Sequence, residues 1–478
     1  MGKVVLAGVG CGEADLMSIR ARDFVERADC ILYDHLMDAA ILKAAKPGCV
    51  KIFVGKESGN HAVAQDQINA MLVDFSKRYD CVVRLKGGDP YVFGRGAEEA
   101  HALLEAGVPF EVVPGISSCI AGLSFAGIPI TARSITRGFR VYTAHSSEDR
   151  MPELDFEQLA FTKDTVVFLM GRKNLARIVE GYQKAGAPDL PIALISKAGF
   201  PEQRVCVGTL STIVEQCARE EYPAPALIVV GNVVNESEAL NWFSRRPLSG
   251  KTVLYARNSD RDDLLEPLRD LGAIVDAPVA FERVESPEMA VDVEKYDWVV
   301  LTSQTAIRLF MERMRRQQVD VRRLPKVAVV HEQSAQALAR YGVFADLVGT
   351  KDAESLVKQL NQVVDADSNI LVPHSAANID VFVGLKGNVD VHVLYQMVPL
   401  DWHASRPAYD YGVFTSARMA ESVLARGVRI GTAISIGEKT TAALRKGGVK
   451  TICQAKRPRY GDMLEILKGN ESCIEAED

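Results

Sequence analysis

The 478-residue chain lacks the features that mark several classes of protein. Its nine cysteines are scattered singly and form no C-x-x-C pair, which argues against a zinc site and against a disulfide framework. No stretch approaches the roughly 20 apolar residues of a membrane-spanning helix, and no basic start followed by an apolar run indicates a signal peptide. We therefore expect a cytoplasmic protein without a metal site, whose cysteines are mostly small core residues.

The chain also lacks an excess of positive charge. Its net charge is −6 and its isoelectric point is near 5.9, which argues against general binding of nucleic acid or of membrane surfaces. Hydrophobic residues make up 47% of the chain and charged residues 25%, the ordinary proportions of a globular protein. Any anionic ligand must therefore be bound by a local concentration of positive charge.

Short apolar runs alternate with segments of helical period along the whole chain, which predicts an α/β architecture with largely parallel strands. In the first half, strands are predicted at residues 4–9, 30–33, 81–85, 141–143, 165–170 and 192–196, and helices at 65–77 and 97–106. In the second half, strands are predicted at 298–302, 327–330, 369–373, 389–394, 412–415 and 433–436.

Composition predicts two domains joined by a short linker. Residues 245–250 are polar and contain proline and glycine, as a linker does. Residues 1–244 then form one domain, with subdomains of about 1–113 and 114–244 that meet where Val113-Pro114-Gly115 interrupts the alternation. Residues 251–478 form the other domain. Its segments W-V-V-L-T-S (298–303) and Y-G-V-F-T-S (411–416) resemble each other, which predicts two similar lobes.

The first glycine cluster, Gly8-Val9-Gly10-Cys11-Gly12, resembles a dinucleotide-binding fingerprint only weakly. The G-x-G-x-x-G pattern requires glycine where Glu13 stands, and Glu13 with Asp15 would repel a phosphate. A nicotinamide cofactor stays an alternative that this mismatch disfavours.

The most informative stretch is V-R-L-K-G-G-D-P-Y-V-F-G-R-G, residues 83–96. A strand runs into Gly87 and Gly88, and glycine is used where no side chain fits between backbone and ligand. Asp89 then offers a fixed acceptor, and Pro90 prevents the strand from continuing. Because open α/β sheets bind ligands where a strand ends and a helix begins, this segment predicts a ligand site.

Together with three further motifs, this stretch makes residues 4–243 closely resemble uroporphyrinogen-III C-methyltransferases of the tetrapyrrole methylase family. The motifs are V-V-P-G-I (112–116), P-A-L-I-V-V-G (225–231) and L-N-W-F (240–243). The resemblance implies transfer of methyl groups from S-adenosylmethionine to two carbons of uroporphyrinogen III. The products would be precorrin-2, which leads to sirohaem and cobalamin, and S-adenosylhomocysteine. It also implies a cofactor site formed by Cys11, Gly87, Gly88, Asp89, Val92, Ser117, Ser118, Met170, Ala198, Pro225 and Ala226.

The same resemblance implies that Asp34 is the catalytic base and Lys56 a proton shuttle. A helix N-cap is the structural alternative for Asp34, and a solvated surface lysine is the alternative for Lys56. Cys11 and Glu13 depart from the family's G-P-G-D, and Ser117 replaces a common threonine. A reactive Cys11 thiol is a lesser alternative, which a neutral thiol would exclude.

The macrocycle carries eight carboxylates, and guanidinium groups pair well with carboxylates. The candidates for binding them are basic residues around the motif loops, and a solvated surface position is the alternative for each. They are Arg84, Lys86, Arg95, Arg133 and Arg137.

In the second half, hydroxyl residues recur where strands end and helices begin. Ser303, Ser375 and Ser416 either cap helices or bind carboxylates at helix N-termini. This half resembles uroporphyrinogen-III synthases over about residues 251–468, through V-L-Y-A-R, D-W-V-V-L-T-S, I-L-V-P-H-S-A-A, V-L-Y-Q, V-F-T-S-A and I-S-I-G-E-K-T-T-A-A-L.

That resemblance implies cyclisation of hydroxymethylbilane with inversion of the last pyrrole ring and loss of water. Tyr395 would assist departure of the hydroxyl, with a core tyrosine as the alternative, and Thr440 would lie near the cleft. His331 stands where that family often has glycine. Lobe one would comprise about 251–284 and 399–468, and lobe two about 285–398, with crossovers near 282–286 and 396–400.

Two further hypotheses remain at this point. The first half could methylate another substrate, such as a later corrin intermediate or the diphthamide precursor. The second half could be a non-enzymatic binding or regulatory module. The order of the fusion favours the bifunctional enzyme, because the synthase product is the methylase substrate. The methylase resemblance also implies a homodimer.

Overall fold

The computed structural model describes residues 1–55, 63–144, 151–259, 263–287, 290, 292–350, 352–469 and 474–475. The chain divides into two compact units, formed mainly by residues 1–252 and 275–466. Each unit contains two β-sheets covered by helices. This mixed α/β architecture confirms the predicted fold class.

The first sheet of the N-terminal unit is entirely parallel, with strand order β3-β2-β4-β1-β5. Its strands are β1 (Lys3–Gly8), β2 (Cys30–Tyr33), β3 (Val50–Phe53), β4 (Cys81–Lys86) and β5 (Phe110–Val113). Its helices are α1 (Ile19–Arg27), α2 (Gln65–Ser76) and α3 (Gly96–Glu105). Since all five strands run the same way, their carboxyl ends meet at one edge.

The second sheet of this unit has the order β6-β7-β10-β8-β9 and is mostly antiparallel. Its strands are β6 (Phe139–Thr143), β7 (Thr165–Leu169), β8 (Pro191–Ser196), β9 (Arg204–Thr209) and β10 (Ala226–Val230). Its helices are α4 (Ser118–Phe125), α5 (Phe156–Ala160), α6 (Leu175–Lys184), α7 (Ile213–Ala218) and α8 (Ser237–Leu240).

The prediction of largely parallel strands is therefore wrong for this second sheet. Only β6 and β7 are parallel, and the pairs β7–β10, β10–β8 and β8–β9 are antiparallel. For the pair β8–β9, the reason is the length of the connection. Seven residues join β8 to β9, whereas a parallel crossover requires about a dozen or more.

In the C-terminal unit, one sheet has six strands in the order β13-β11-β20-β21-β22-β23. They are β11 (Thr252–Leu254), β13 (Ile274–Asp276), β20 (Ala408–Phe414), β21 (Arg429–Ser435), β22 (Thr451–Gln454) and β23 (Ile474–Glu475). The helices that follow or connect them are α9 (Leu265–Asp270), α13 (Ala417–Leu424), α14 (Glu438–Lys446) and α15 (Tyr460–Leu467).

The other sheet has seven strands in the order β12-β14-β19-β18-β15-β16-β17. They are β12 (Arg257–Asn258), β14 (Val279–Glu285), β15 (Trp298–Leu301), β16 (Lys326–Val329), β17 (Leu347–Val348), β18 (Asn369–Ser375) and β19 (Asn388–Pro399). The helices α10 (Gln304–Arg316), α11 (Glu332–Ala339) and α12 (Ala353–Leu360) accompany it. All six strands predicted for this half are present, and each end differs from the prediction by at most five residues.

Two features of the C-terminal unit concern the predicted internal repeat and the predicted crossovers. β15 with α10 repeats the arrangement of β20 with α13, a buried strand followed by a capped helix. β14 and β19 pair antiparallel, from Phe281 opposite Pro399 to Glu285 opposite Tyr395. The segments predicted as crossovers, 282–286 and 396–400, lie in or beside this pair.

Two further findings concern the absences noted in the sequence. Across the described ranges, no helix is both long enough and apolar enough to cross a membrane. Among the described cysteines, seven are free thiols and Cys453 on β22 is disulfide-bonded. The sequence did not predict this bond, because singly scattered cysteines give no signal for their pairing.

Candidate active sites

At the carboxyl edge of the parallel sheet, three loops touch backbone to backbone. A Cβ added at Gly115 would clash with the carbonyl oxygen of Gly88 and lie 2.7 Å from the carbonyl carbon of Gly8. A Cβ at Gly8 would lie 2.6 Å from the Gly115 nitrogen. Gly88 also has a φ of +71° and donates its N–H to the Gly10 carbonyl at 2.6 Å. Only glycine allows this approach and this conformation.

Asp89 joins two of these loops through its carboxylate. Oδ2 accepts the N–H of Gly115 at 3.1 Å, and Oδ1 accepts the N–H of Tyr91 at 2.8 Å. Each oxygen retains a further lone pair for a ligand. The carboxylate is therefore held in one orientation, as the sequence predicted for a fixed acceptor.

Helix α4 connects this edge to the second sheet. A Cβ at Gly88 would lie 3.6 Å from Ser117, the N-cap residue, which precedes Ser118 at the first helical position. Further along the helix, a Cβ at Gly122 would lie 3.1 Å from the Ala198 Cβ. Cys11 approaches the same residue, because its Sγ lies 3.3 Å from the Ala198 carbonyl. Loops from both sheets therefore converge here.

The remaining predicted cofactor residues lie at strand ends or in the loop after β4. Met170 follows β7 with a φ of 58° and is exposed. Ala226 starts β10 opposite Ser196, directly after the cis Ala224–Pro225 bond. Val92 follows β4 and is partly exposed. Because β7 is antiparallel to β10, its end and the start of β10 lie at the same edge.

Cys11 is a neutral thiol. Burial raises its pKa to about 12, with nearby Cys119 as the second cause. Reactive cysteines need a populated thiolate. The reactive-thiol alternative is therefore not supported.

Asp34, directly after β2, is oriented through both carboxylate oxygens. Oδ1 accepts the Leu36 N–H at 3.0 Å, and Oδ2 accepts Nη2 of Arg84 at 3.1 Å. It caps no α-helix, so the N-cap alternative does not describe it. Lys56, its predicted proton-shuttling partner, lies outside the described residues.

Arg84 and Lys86 point into the protein rather than towards solvent. They are 5% and 4% exposed, and both contact Oε1 of Glu99, at 3.3 Å for Arg84 Nε and 2.7 Å for Lys86 Nζ. Direct binding of substrate carboxylates by these two residues is not supported by this geometry. Glu99 was not among the predicted site residues. Its position beside Ala100, on the buried face of α3, could have indicated a buried acid.

The other basic candidates are open to solvent. Arg95 is exposed and pairs with Glu98 through two contacts, at 2.9 and 2.7 Å. Arg133 and Arg137 are exposed on the loop before β6, and neither has an ion-pair partner within the part of the chain that is described. These two guanidinium groups are therefore available to an anion.

Large apolar side chains are also exposed in the loops at these strand ends. Leu36 follows β2, Tyr91 and Phe93 follow β4, Ile116 follows β5 and Met170 follows β7. Exposed apolar side chains that gather beside polar groups mark ligand or partner surfaces more often than isolated ones do.

The C-terminal unit contains a cavity of about 560 Å³. Its wall is strongly basic and partly aromatic. The residues that line it are Asp263, Arg283, Gln304, Thr305, Ile307, Arg308, Ala337, Arg340, Tyr341 and Tyr460.

The three arginines of this cavity come from β14, α10 and the end of α11. Arg308 forms two contacts with Glu312, at 2.9 and 3.0 Å, and Arg283 lies 3.9 Å from Glu285. Arg340 is exposed and has no ion pair among the residues that the structure describes. Sequence analysis missed all three, because they lie far apart in the chain and form no motif.

Two of the three predicted serines, Ser303 and Ser416, act as helix caps. Ser303 and Ser416 cap α10 and α13, accepting the N–H groups of Ala306 at 3.1 Å and Met419 at 3.3 Å. His331 caps α11 in the same way through Nδ1, at 3.2 Å from the Ser334 nitrogen. The capping interpretation therefore describes the observed bonds of these residues.

Tyr395 lies on a strand of the seven-stranded sheet, whereas Thr440 lies on helix α14, which connects β21 and β22 of the six-stranded sheet. Tyr395 is half-buried on β19, opposite Ser375 of β18. Thr440 is buried in the first turn of α14, and its neighbour Thr441 bonds Ser435 at 2.6 Å and Gln454 at 2.7 Å. The structure thus brings Tyr395 close to Ser375. In the described residues, no three His, Cys, Asp or Glu side chains form a group that could hold a metal ion.

Comparison with known proteins identifies both halves. The family model "Tetrapyrrole (Corrin/Porphyrin) Methylases" matches residues 3–214, and the model "Uroporphyrinogen-III synthase HemD" matches residues 285–465. The porphyrin biosynthesis protein HemD of Ruminiclostridium josui is 32% identical over 501 residues, covering 98% of this chain and 99% of that protein. The uroporphyrinogen-III C-methyltransferase of Bacillus subtilis (strain 168) is 36% identical, covering 74% of this chain and 75% of that protein.

Among solved structures, the uroporphyrin-III C-methyl transferase from Thermus thermophilus complexed with S-adenyl homocysteine is 35% identical. The match covers 49% of this chain and 99% of that chain, with a TM-score of 0.43. Given the relative that it matches almost from end to end, the chain belongs to the tetrapyrrole methylase family in its N-terminal half and to the uroporphyrinogen-III synthase family in its C-terminal half, and it is a fused methyltransferase and synthase.

Proposed function

We propose that the C-terminal half converts hydroxymethylbilane to uroporphyrinogen III and that the N-terminal half methylates this product twice to give precorrin-2. The observation that carries the proposal is the presence of both families in one chain, because their reactions are consecutive. The arginine-lined cavity of the C-terminal unit and the glycine-lined loops of the N-terminal unit supply one site for each step.

The residues of the N-terminal site fit S-adenosylmethionine. Close backbone contacts at Gly8 and Gly115 fix the loops, while a Cβ at Gly88 would be in ordinary van der Waals contact with Ser117 and Ser118, at 3.6 and 3.7 Å. Asp89 has lone pairs left to accept ligand hydroxyl or amino groups. The sulfonium supplies an activated methyl group, so the protein's task is mainly to position a pyrrole carbon.

The exposed apolar side chains beside this site suit the flat face of a macrocycle, and Arg133 and Arg137 suit its carboxylates. Asp34 is then the base that removes a proton after each methyl transfer, since it is fixed at a strand end. Lys56 keeps its predicted role as proton shuttle.

In the C-terminal cavity, Arg308 and Arg340 bind carboxylates of the linear tetrapyrrole and hold it in a curved conformation. Arg283, on the strand that pairs with β19, lies opposite Met397 and two residues from the partner of Tyr395. Tyr395 assists departure of the hydroxyl. Imposed conformation contributes most of the rate, so each side chain contributes modestly.

Several finer points belong to the same proposal. The domain bounds are 1–244 and 251–478, joined by 245–250, with lobes of about 251–284 plus 399–468 and 285–398. The enzyme works in the cytoplasm without a metal ion and forms a homodimer through its methylase half.

The direct test supplies the purified full chain with hydroxymethylbilane and S-adenosylmethionine and identifies the products by absorbance and mass. We expect precorrin-2 when both are present and uroporphyrinogen III when S-adenosylmethionine is omitted. Formation of the unrearranged isomer alone would disprove the synthase activity. Uroporphyrinogen III left unmethylated would disprove the methylase activity.

A second test addresses the cavity. Arg340→Gln and Arg308→Gln should each raise KM for hydroxymethylbilane about tenfold, because each removes a charge-assisted hydrogen bond. Arg322→Gln is the matched control, since Arg322 is exposed and its ion pair in the described part of the chain is with nearby Asp320. Methylation of added uroporphyrinogen III should be unchanged in all three. Unchanged KM in both cavity variants would place the synthase site elsewhere.

A further inference from the structure

The guanidinium of Arg84 is held by three acceptors, one for each nitrogen. Nε contacts Oε1 of Glu99 at 3.3 Å, Nη1 contacts the Leu85 carbonyl at 2.7 Å, and Nη2 contacts Oδ2 of Asp34 at 3.1 Å. The first two contacts fix the plane of the group. The third then fixes where the Asp34 carboxylate can lie.

Glu99 is the centre of this network. It is 0% exposed, and its Oε1 accepts from Lys86 at 2.7 Å, from Arg84 at 3.3 Å and from Gln65 at 3.3 Å. Oε2 is buried without a hydrogen-bond partner. Glu99 therefore supplies the negative charge that two buried cations share.

We propose that Glu99 is a positioning residue for methylation, which anchors Arg84 against Asp34 and offsets the charge of Lys86. The inference rests on the proposed function, in which Asp34 is the base. With Glu99 present, the four charges of Asp34, Arg84, Lys86 and Glu99 cancel. Without it, Asp34 alone faces two cations, which favours the carboxylate over the acid and so weakens the base.

The charged and titratable groups around Asp34 come from two elements in the described residues. Arg84 and Lys86 face it from β4, and His35 follows it in the loop after β2. Burial lowers the pKa of Lys86, with Arg84 as the second cause, and the contact with Glu99 opposes this shift. Loss of Glu99 would thus disturb both cations.

The test substitutes Glu99→Gln in the full chain and measures methylation of uroporphyrinogen III as a function of pH. We expect kcat at neutral pH to fall about tenfold, because an oriented base contributes about 100-fold or more and is only partly lost. We also expect the acid limb of the kcat profile to move about one pH unit lower, because an uncompensated cation stabilises the carboxylate. KM for S-adenosylmethionine should not change.

Glu98→Gln is the matched control, since Glu98 is exposed on the same helix and its ion pair among the described residues is with Arg95. It should leave the profile in place. If Glu99→Gln fails to fold, Lys86→Met/Glu99→Gln removes one cation with the anion. We expect that double variant to return the acid limb to its original pH while kcat stays low, because Arg84 Nε then faces a neutral amide oxygen, which holds it less firmly than a carboxylate does.

The outcomes separate this inference from the function on which it rests. If the unmodified chain does not methylate uroporphyrinogen III, the proposed function fails. If it does, but Glu99→Gln lowers kcat at every pH with the acid limb unmoved, Glu99 is merely structural and the inference is overturned. A double variant with full activity would overturn it as well.

Discussion

The proposed sites of the two halves of this enzyme differ in what forms them, backbone atoms in one and side chains in the other. The N-terminal site depends on backbone atoms packed against each other, with Gly8, Gly88 and Gly115 in direct contact. The C-terminal cavity is lined by long side chains, among them Arg308, Arg340 and Tyr341, which reach it from separate elements. The first site is therefore fixed by the fold itself, whereas the second is fixed by side chains mounted on the fold.

This difference has consequences for tolerance to change. A backbone contact offers no alternative conformer, so a single added methyl group must move a loop. A cavity lined by several arginines keeps most of its charge when one is lost. We therefore expect single substitutions to abolish methylation but only to weaken cyclisation.

The largest expected effect is that of Gly115→Ala. Its Cβ would clash with the Gly88 carbonyl oxygen, so the loops after β4 and β5 must separate. We expect methylation to fall about 100-fold or more, since a displacement of about 1 Å can have that effect. Overpacking should also lower the stability of the N-terminal unit by about 1–3 kcal/mol. Rates and thermal unfolding, measured on the full chain, check both.

Gly107→Ala is the control for this substitution. Gly107 has a positive φ of 65°, but no atom lies within 4 Å of its Cβ position. It therefore suffers only the backbone strain of an alanine at positive φ, about 1 kcal/mol. Equal losses of methylation in the two variants would show that the close contact has no special role.

The same contrast explains what the sequence could and could not predict. The two glycines and the strand before them identified the loop of Gly87, Gly88 and Asp89, because a backbone requirement is met by residues that are adjacent in the sequence. The cavity arginines form no such motif, since residues 283, 308 and 340 become neighbours only after folding. Glu99 was missed for a related reason, as its partners lie 13 and 15 positions earlier on another element.

Strand prediction shows a similar limit. Buried runs such as 81–85 and 165–170 were recognised from their apolar residues, and they are β4 and β7. The direction of these strands in the sheet could not be predicted, because the same apolar run can form part of a parallel or an antiparallel pair. The short connection between β8 and β9 was a usable signal for that pair alone, because a parallel crossover requires about a dozen residues or more.

The second prediction concerns the chemistry of the C-terminal site. Tyr395→Phe and Thr440→Ala together should slow cyclisation about tenfold, because conformation imposed by the cavity supplies most of the rate. Tyr411→Phe, on β20, is the control and should have no effect on the rate of isomer III formation. A loss of about 1,000-fold, which corresponds to about 4 kcal/mol, would contradict the comparison. The C-terminal site would then depend on single fixed groups as strongly as the first does.

The smallest expected effects come from the helix caps of the C-terminal unit. Ser303→Ala removes the acceptor for the Ala306 N–H, and Ser416→Ala removes that for Met419. Each should lower the stability of the C-terminal unit by about 1 kcal/mol, read from its denaturant unfolding midpoint. Cyclisation kinetics should not change, because the serine oxygens are occupied by their own helices.

Aspartate at the same positions separates capping from substrate binding. Asp is as good an N-cap as Ser, so Ser303→Asp and Ser416→Asp should retain stability. If the serines only cap, KM for hydroxymethylbilane also stays constant. If they bind substrate carboxylates, the added negative charge repels the substrate and KM rises, while the unfolding midpoint stays in place. A raised KM at an unchanged midpoint would place helix N-termini, as well as arginine side chains, in the C-terminal site. Both halves would then depend on backbone N–H groups.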